Sequence, residues 1–271
     1  MSERWQQRSI LKGDEYKLLK TDLKEFAMPR PLYPATLAAK RQLSQNTVQL
    51  DFRVEGGFDY QPGQFVQLHF SFKGQDYKRS YSIANAPESF KNTREIEIAI
   101  SFVEGGVASS LFSEAEPGLK LSVGGPFGIL TAPDQYDGRI ILAGTGTGLA
   151  PYRAMIPSLK KLASAGTQIL VMMGVRHRAD MIYEQDFREL AASSETIEYR
   201  ACYSREKSLN SALQEYPGYL QNQFPELGLS PEKDLIYLCG NPAMIDDAAA
   251  ALKILGFSPR QVKREKYVFS S

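Results

Sequence analysis

The amino-acid sequence predicts two domains, an antiparallel β-barrel followed by an α/β domain with a doubly wound parallel sheet. The 271 residues suffice for two domains, since domains usually contain roughly 100–200 residues. Apolar and polar residues alternate in the first part of the chain, whereas solid apolar runs separated by helix-length segments follow in the second. We therefore expect an N-terminal extension over residues 1–30, the barrel over 31–134 and the α/β domain over 135–271.

The hydropathy pattern of the first domain has a period of two residues. Apolar residues alternate with polar ones over 48–54, 66–72 and 96–102. This alternation is typical of antiparallel strands with one face in the core and the other in water. Several such strands, with glycine-rich turns between them, favour a small barrel.

The pattern changes after residue 138. Short apolar runs now alternate with segments of helical length, which is typical of parallel strands that are buried on both faces. The runs cover residues 140–143, 169–173 and 235–238, and the helical segments cover 149–163, 183–192 and 243–255. This arrangement predicts a nucleotide-type α/β domain.

The composition excludes several classes of protein. Lys and Arg total 32 against 31 for Asp and Glu, so the net charge of +1 gives no broad positive field for nucleic acid. No apolar run approaches the ~18–20 residues that span a bilayer. The two cysteines, Cys202 and Cys239, are too few for an iron–sulfur cluster or a four-cysteine zinc site, and we expect no metal. The first residues are too polar for a secretory signal, so we expect a cytoplasmic protein.

A glycine-rich turn leads from the first strand of the α/β domain into a helix. Gly144, Gly146 and Gly148 allow close approach to a ligand, and Pro151 stands where a first-turn proline is tolerated. Exposed amides at a helix start favour a phosphate, so the turn is a candidate pyrophosphate site. Leu149 replaces the third glycine of the GxGxxG spacing, and a connection that binds no ligand is the alternative.

Basic residues end the next two strands of this domain. An NAD site usually has an acidic residue there for the ribose hydroxyl, whereas this chain has Arg176 and Arg178 after one strand and Ser204 and Arg205 after the next. Because guanidinium groups make paired hydrogen bonds to phosphate, the pattern indicates a 2′-phosphate and therefore NADP. Solvated surface arginines are the alternative.

Three further motifs are candidates for chemistry. Cys239 and Gly240 lie at the carboxyl end of a parallel strand, where α/β sites form, although a cysteine there is often only a small buried hydrophobe. In the first domain, Arg79 precedes Tyr81 and Ser82 on a strand. A Gly-Gly turn at 104–110 carries two hydroxyls and forms a candidate second phosphate nest.

With these motifs the chain resembles the ferredoxin–NADP reductase-like flavoenzymes, which include bacterial plant-type reductases and the reductase modules of oxygenase systems. The resemblance covers about residues 34–267 and five motifs in the family order. It implies FAD and NADP as cofactors, with NAD as an alternative to NADP. It further implies that Arg79 pairs with the FAD pyrophosphate, Tyr81 packs on the isoalloxazine and Ser82 bonds near its reactive nitrogen. The other cofactor-binding residues that it implies are Gly105, Gly106, Val107, Ala108 and Ser109 for FAD, and Gly144, Thr145, Gly146, Pro151, Arg176, Ser204, Arg205 and Gly240 for NADP.

The resemblance also implies four catalytic residues, which are Ser82, Cys239, Glu265 and Tyr267. Cys239 and Gly240 match the motif beside the nicotinamide. Tyr267 matches the aromatic residue that covers the flavin face, and Phe269 is the alternative because the chain continues past Tyr267.

We therefore expect an FAD-dependent reductase in which NADPH gives hydride to the flavin and a separate carrier, ferredoxin or flavodoxin, takes single electrons. The reverse direction is equally allowed. We expect a monomer. An NAD(P)H-flavin reductase or diaphorase and an NADH-dependent oxygenase reductase component are alternatives within enzymes. A redox-silent dinucleotide sensor is the alternative outside them.

Overall fold

A computed structural model describes residues 31–267 and begins with an antiparallel sheet of six strands. The alternating segments form these strands because every second side chain faces a common core. The strands are β1 (Leu32–Ser44), β2 (Thr47–Val54), β3 (Phe65–Phe72), β4 (Gln75–Ser82), β5 (Glu95–Ser101) and β6 (Lys120–Phe127), in the order β4-β3-β6-β1-β2-β5. The predicted extension at 1–30 and the alternative Phe269 lie outside the described residues.

The outer strands of this sheet meet, so the sheet closes into the predicted barrel. Ile83 forms a bridge with Ile98, and the Ala84 amide donates to the Glu97 carbonyl at 2.7 Å. Two helices, α1 (Pro87–Thr93) and α2 (Val107–Glu114), accompany the barrel. Its buried core includes Leu37, Val48, Leu50, Phe52, Val66, Leu68, Phe90, Ile96, Ile98, Phe112 and Val123.

One expectation for the barrel is wrong. The alternation predicted that the polar residues of β2 face water, yet Gln49 is 1% exposed and Asp51 is 8% exposed. The reason is tertiary, because Tyr183 of the second domain donates from its hydroxyl to Gln49 Oε1 at 3.1 Å. Tyr183 of the second domain therefore covers the polar face of β2 at Gln49, whereas Arg53 at the end of the strand is exposed as predicted.

The second domain contains the predicted doubly wound parallel sheet, with helices on both faces. Its strands are β7 (Arg139–Thr145), β8 (Gln168–Val175), β9 (Ile197–Tyr203), β10 (Glu215–Pro217), β11 (Asp234–Gly240) and β12 (Val262–Lys266), in the order β10-β9-β8-β7-β11-β12. The predicted domain boundary at 134/135 falls between β6 and β7, and its position stays a prediction.

The helices of this domain differ from the prediction at one place. We expected one helix over 149–163, but a 3₁₀ turn (Gly146–Leu149) precedes two helices that meet at Met155. Each helix has a proline in its first turn, a position where the missing amide costs nothing. The four helices are α3 (Ala150–Ala154), α4 (Ile156–Ser164), α5 (Glu184–Ala192) and α6 (Pro242–Ile254).

The strand order reverses between β7 and β11, which are neighbours in the sheet. Ligands of open α/β sheets bind at such a point, beyond the carboxyl ends of the strands. Both glycine motifs of this domain lie there, after β7 and at the end of β11. Of the helices within 31–267, none is long and apolar enough to cross a membrane.

Candidate active site

A cavity of about 790 Å³ lies between the barrel and the carboxyl edge of the parallel sheet. It is lined from both domains, so neither domain forms it alone. The lining residues are Phe65, Lys78, Arg79, Ser80, Tyr81, Ser82, Ala99, Ile100, Ser101, Val103, Glu104, Gly105, Gly106, Val107, Ala108, Ser109, Thr147, Ala150, Glu265, Lys266 and Tyr267.

Strand β4 brings three predicted residues to the cavity wall. Tyr81 packs edge-on against Phe112 of the barrel core, with ring centroids 6.5 Å apart. Burial raises the pKa of the Tyr81 phenol, so it stays neutral. Arg79 makes no salt bridge within the described residues, and its guanidinium donates to the Lys78 carbonyl at 2.9 Å. The Arg79 charge is thus available to an anion in the cavity.

The Gly-Gly turn leads into the first turn of α2 at the same cavity. Gly105 has a φ of +72°, which is favourable for glycine, and Gly106 is the N-cap residue. Ser109 Oγ accepts from the Val103 amide at 2.7 Å and holds the turn closed. Among the described residues no side chain caps this helix, so its first amides are available as donors beside the cavity, which Val107, Ala108 and Ser109 line. The geometry suits a phosphate group.

Strand β12, the residue after it and the end of β11 bring the remaining predicted catalytic side chains, Glu265, Tyr267 and Cys239, close to Ser82. Ser82 Oγ donates to Glu265 Oε1 at 3.0 Å and lies 3.2 Å from the Tyr267 hydroxyl oxygen. Tyr267 donates to the Thr147 carbonyl at 3.0 Å, and the Cys239 thiol donates to the Tyr267 oxygen at 3.5 Å. All four predicted catalytic residues therefore belong to one hydrogen-bonded cluster.

Burial raises the pKa of both Glu265 and Cys239 in this cluster. It raises the pKa of the Glu265 carboxyl above its ordinary value of 4.5, although the hydrogen bond from Ser82 acts in the opposite direction. It also raises the pKa of the Cys239 thiol, and the nearby carboxyl of Glu265 raises it further. Cys239 is therefore a neutral thiol and not a thiolate nucleophile.

The number of protons in the cluster depends on Glu265. When its carboxyl is ionised, Ser82 donates to it and Tyr267 donates to Thr147, so no proton lies between the Ser82 and Tyr267 oxygens. When the carboxyl is protonated, it can donate to Ser82, and the Ser82 proton can then turn to Tyr267. Protonation completes the network, and the cluster can hold one proton next to Ser82.

The glycine loops of the second domain are packed against each other. Gly240 has a φ of +121°, and a Cβ there would lie 2.5 Å from the Thr145 carbonyl oxygen. Thr145 Oγ1 in turn accepts from the Asn241 amide at 2.9 Å. A Cβ on Gly144 would lie 2.7 Å from the Leu149 side chain. At Gly240 the carboxyl ends of β7 and β11 thus approach so closely that only glycine fits.

The structure separates the three candidate arginines. Arg178 forms a two-point ion pair with Glu215, at 2.7 and 2.6 Å, and its pairing makes it unsuitable for a ligand. Arg176 and Arg205 are exposed, and the Arg205 amide donates to the Arg176 carbonyl at 3.0 Å. Ser204 is tied to the Val175 carbonyl beside them. Arg176 and Arg205 remain the candidates for a 2′-phosphate.

Several residues of the predicted sites lie away from the cavity itself. Gly144, Gly146, Pro151, Arg176 and Arg205 do not line it, since they extend along the sheet edge. Sequence reasoning missed Thr147, whose carbonyl accepts from Tyr267. It also missed Phe65, Ala99 and Ala150 in the cavity wall. No sequence signal marks a backbone carbonyl or a wall alanine.

The residues present fit both implied cofactors. The cavity, the Arg79 guanidinium, which forms no salt bridge within residues 31–267, and the start of α2 suit an apolar ring joined to a pyrophosphate. The glycine-lined cradle at the switch point and two exposed arginines suit a second, phosphorylated dinucleotide. Such a pair of sites defines the class of two-domain flavin- and pyridine-nucleotide-dependent oxidoreductases.

Two family models match the chain. Residues 34–131 match the model of the oxidoreductase FAD-binding domain, and residues 142–250 match that of the oxidoreductase NAD-binding domain.

The chain belongs to the ferredoxin–NADP reductase family. It is 33% identical over 213 residues to ferredoxin–NADP reductase B of Sorangium cellulosum, covering 78% of this chain and 83% of that one. It is 31% identical over 246 residues to the toluate 1,2-dioxygenase electron transfer component of Pseudomonas putida, with 88% and 68% covered. The protein is accordingly an FAD-dependent NAD(P)H oxidoreductase.

Solved structures show the same architecture. The Amycolatopsis cytochrome P450 reductase is 27% identical and superposes with a TM-score of 0.77, covering 89% of this chain and 71% of that chain. A ferredoxin–NADP⁺ reductase from Neisseria gonorrhoeae with bound FAD and NADP superposes with a TM-score of 0.74 at 18% identity, covering 88% and 99%. The second likeness concerns the fold alone.

Proposed function

We propose that this protein moves electrons from NADPH, through FAD, to a separate one-electron protein carrier such as ferredoxin or flavodoxin. The observation that carries the proposal is the cluster of Ser82, Cys239, Glu265 and Tyr267, which lies where the walls of the two domains meet. The similarity to a ferredoxin–NADP reductase supports a carrier of this type. The two buried cysteines of this chain are too few for an iron–sulfur cluster of its own.

The barrel residues hold and orient the flavin in this proposal. FAD, when bound, accepts a hydride and releases electrons singly, which no side chain of the protein can do. Arg79 neutralises pyrophosphate charge, while the amides of Val107, Ala108 and Ser109 donate to it after the turn at Gly105 and Gly106. Tyr81 provides an apolar wall that excludes water.

The polar cluster holds a proton and admits the nicotinamide. Ser82 presents its hydroxyl to the cavity and exchanges a proton with Glu265 over 3.0 Å. Tyr267 covers the cavity until nicotinamide replaces it, and Cys239, as a neutral thiol under it, gives an apolar floor with one donor. In this way the cluster can present a proton beside the redox centre.

The second domain binds the nucleotide along the sheet edge. The start of α3 and the loop Gly144–Thr145–Gly146 receive the pyrophosphate, with Pro151 removing an amide that has no partner. Gly240 allows the nicotinamide to approach Cys239. The 2′-phosphate is bound by Arg176, Ser204 and Arg205.

An anaerobic titration tests the proposal. The purified protein, followed by its visible spectrum, is titrated with NADPH and then with NADH, and ferredoxin, flavodoxin and free flavin are compared as acceptors. We expect NADPH to bleach the flavin at lower concentration than NADH, and a carrier protein to be reduced faster than free flavin. Faster reduction of free flavin would favour a diaphorase, and a protein that cannot be loaded with FAD would favour a nucleotide sensor.

A second candidate is the reductase component of an oxygenase. The similarity to the toluate 1,2-dioxygenase electron transfer component favours it. If the protein has this function, we expect NADH to reduce it at lower concentration than NADPH in the same titration. Arg176 and Arg205 would then not bind a 2′-phosphate. The monomeric state and the cytoplasmic location stay predictions, and gel filtration tests the former.

A further inference from the structure

The two domains are joined by an arginine that contacts both. Arg153, in α3, donates from Nη1 to Glu97 Oε2 at 2.6 Å and to the Ala84 carbonyl at 3.0 Å, both in the barrel. From Nε it donates to Asp186 Oδ2 of α5 at 2.5 Å. A planar guanidinium is the side chain that can hold three acceptors in fixed directions. Arg153 thus fixes a strand of the barrel, the segment after β4 and a helix of the second domain at one point.

The arginine is held firmly in place. Its side chain is only 22% exposed. Burial alone would lower the pKa of Arg153, but Glu97 and Asp186 outweigh it, so the pKa lies above its ordinary value and the charge is permanent. Its guanidinium carbon also lies 4.6 Å from the ring centroid of Tyr183.

Tyr183 adds a second connection to the same place. It adopts a φ of +55°, which non-glycine residues rarely adopt, at the residue before α5. Its hydroxyl donates to Gln49 of the barrel at 3.1 Å, and Gln49 donates to Asp51 at 2.6 Å. Unusual backbone conformations persist where the surroundings over-determine them, and here the surroundings are the domain interface.

The contacts of Arg153 lie close to the cavity on both sides. Ala84 is two residues after Ser82, and Glu97 is two residues before Ala99, which lines the cavity. On the other side, Ala150 of the cavity wall is three residues before Arg153 and directly follows the nucleotide loop. Arg153 itself does not line the cavity.

We propose that Arg153 is a positioning residue for hydride transfer, which by tying Ala84 and Glu97 to α3 sets the distance between the flavin face and the nicotinamide face. The proposal rests on the hydride transfer from NADPH proposed above. Hydride transfer depends steeply on the separation of donor and acceptor, and a misplacement of about 1 Å can lower a rate by about 100-fold. The pyrophosphate and the 2′-phosphate of the nucleotide, by contrast, are assigned above to residues of the second domain alone.

The test compares Arg153→Gln with Arg139→Gln in the FAD-loaded full chain. Arg139 is a matched control, because it is 23% exposed and forms a two-point ion pair with Asp234 inside the second domain, at the opposite end of β7. Stopped-flow absorbance gives the rate of flavin reduction by NADPH and its concentration dependence. Amide hydrogen exchange gives the protection of residues 82–85 without turnover.

We expect Arg153→Gln to lower the limiting rate of flavin reduction by about 10- to 100-fold with less than about threefold change in the NADPH concentration at half-maximum. Exchange at 82–85 should rise. Arg153→Lys keeps the positive charge but cannot direct hydrogen bonds to all three acceptors, so its limiting rate should lie between those of Arg153→Gln and the unsubstituted protein. Arg139→Gln should lower the melting temperature and leave the limiting rate within about threefold.

Two results would overturn the proposal. One is an equal fall of the limiting rate in Arg153→Gln and Arg139→Gln, because the effect would then be one of general stability. The other is an unchanged limiting rate in Arg153→Gln. If the unsubstituted protein is not reduced by NADPH at all, the proposed function fails instead. Even then, unchanged hydrogen exchange at residues 82–85 in Arg153→Gln would refute the proposal that Arg153 holds this segment in place.

Discussion

Gly148 lies so close to Cys239 that a Cβ on Gly148 would be 2.3 Å from the Cys239 carbonyl oxygen. The nearest atoms are backbone atoms, which cannot turn aside as a flexible side chain can. The contact joins the loop after β7 to the end of β11, and it holds the two glycine motifs in register. The gap between the two segments accommodates the hydrogen atom of a glycine at position 148 but not a methyl group.

Gly148→Ala should therefore separate these segments. We expect a loss of about 1–3 kcal/mol in the free energy of unfolding, because an added methyl group in a packed site forces the backbone to move. Urea titration of the variant measures this loss. Gly57→Ala is the control, since a Cβ at Gly57 meets no atom within 4 Å, and it should change stability by less than about 0.5 kcal/mol. Equal effects at both positions would contradict the close packing.

Glu265 should make stability depend on pH. Its pKa in the folded protein lies above the ordinary value of 4.5, so the folded state binds more protons than the unfolded state between these two pKa values. The contribution of Glu265 is therefore most favourable below pH 4.5 and is lost as the pH rises through the folded pKa. In Glu265→Gln this pH-dependent loss of stability should be absent, as urea titrations of the variant and the unsubstituted protein from pH 4.5 upward would show. Glu55→Gln, at an exposed site, is the control, and a parallel pH profile for Glu265→Gln and the parent would contradict the argument.

Arg205→Ala should weaken NADPH binding without affecting NADH. A hydrogen bond to a charged group contributes roughly 1.5–3 kcal/mol, which corresponds to about a 10- to 100-fold loss in affinity. Arg176→Ala should act in the same direction. Titration calorimetry with both nucleotides measures the ratio, and Lys207→Ala, an exposed cation nearby, should leave it unchanged. An equal loss for both nucleotides would mean that Arg205 does not bind the 2′-phosphate.

Tyr267→Ser should open the flavin face. Stacked aromatic contacts contribute about 0.5–1.5 kcal/mol beyond buried area, so nicotinamide should bind roughly 2- to 10-fold more tightly once the ring is gone. The preference for NADPH over NADH should relax, and oxidation of the reduced protein by oxygen should speed up. Difference spectra with NADP⁺ and oxygen-consumption traces measure these effects. Phe269→Ser should do little, and the reverse outcome would identify Phe269 as the cover.

Much of the fold could be predicted because local patterns decide it. The alternation at 48–54 and the solid runs at 140–143 and 235–238 correspond to β2, β7 and β11. The burial of the polar residues Gln49 and Asp51 of β2 could not be predicted in the same way. Gln49 is buried by Tyr183, which is 134 residues away, and no pattern within one strand carries that information.

The candidate site shows the same division. The glycine turns are visible in the sequence because only glycine fits their backbone angles and close contacts, as at Gly240. The sequence does not show which of Arg176, Arg178 and Arg205 are free to bind a 2′-phosphate, because that depends on the ion pair between Arg178 and Glu215. Pro157 is the sequence signal for the break of the predicted helix at Met155, because a proline is tolerated in the first turn of a helix and disfavoured in its interior.

Strand β12 has a consequence for the order in which the protein is built. Ser82 emerges from the ribosome with the barrel, whereas its partners Glu265 and Tyr267 follow 183 and 185 residues later. Since domains fold as they are synthesised, the barrel can close before β12 exists. A flavin bound at that stage would lie on an open wall, with no carboxyl beside Ser82 and no tyrosine over its face. Thus a nascent chain acquires the complete active site only when β12 joins the edge of the second sheet.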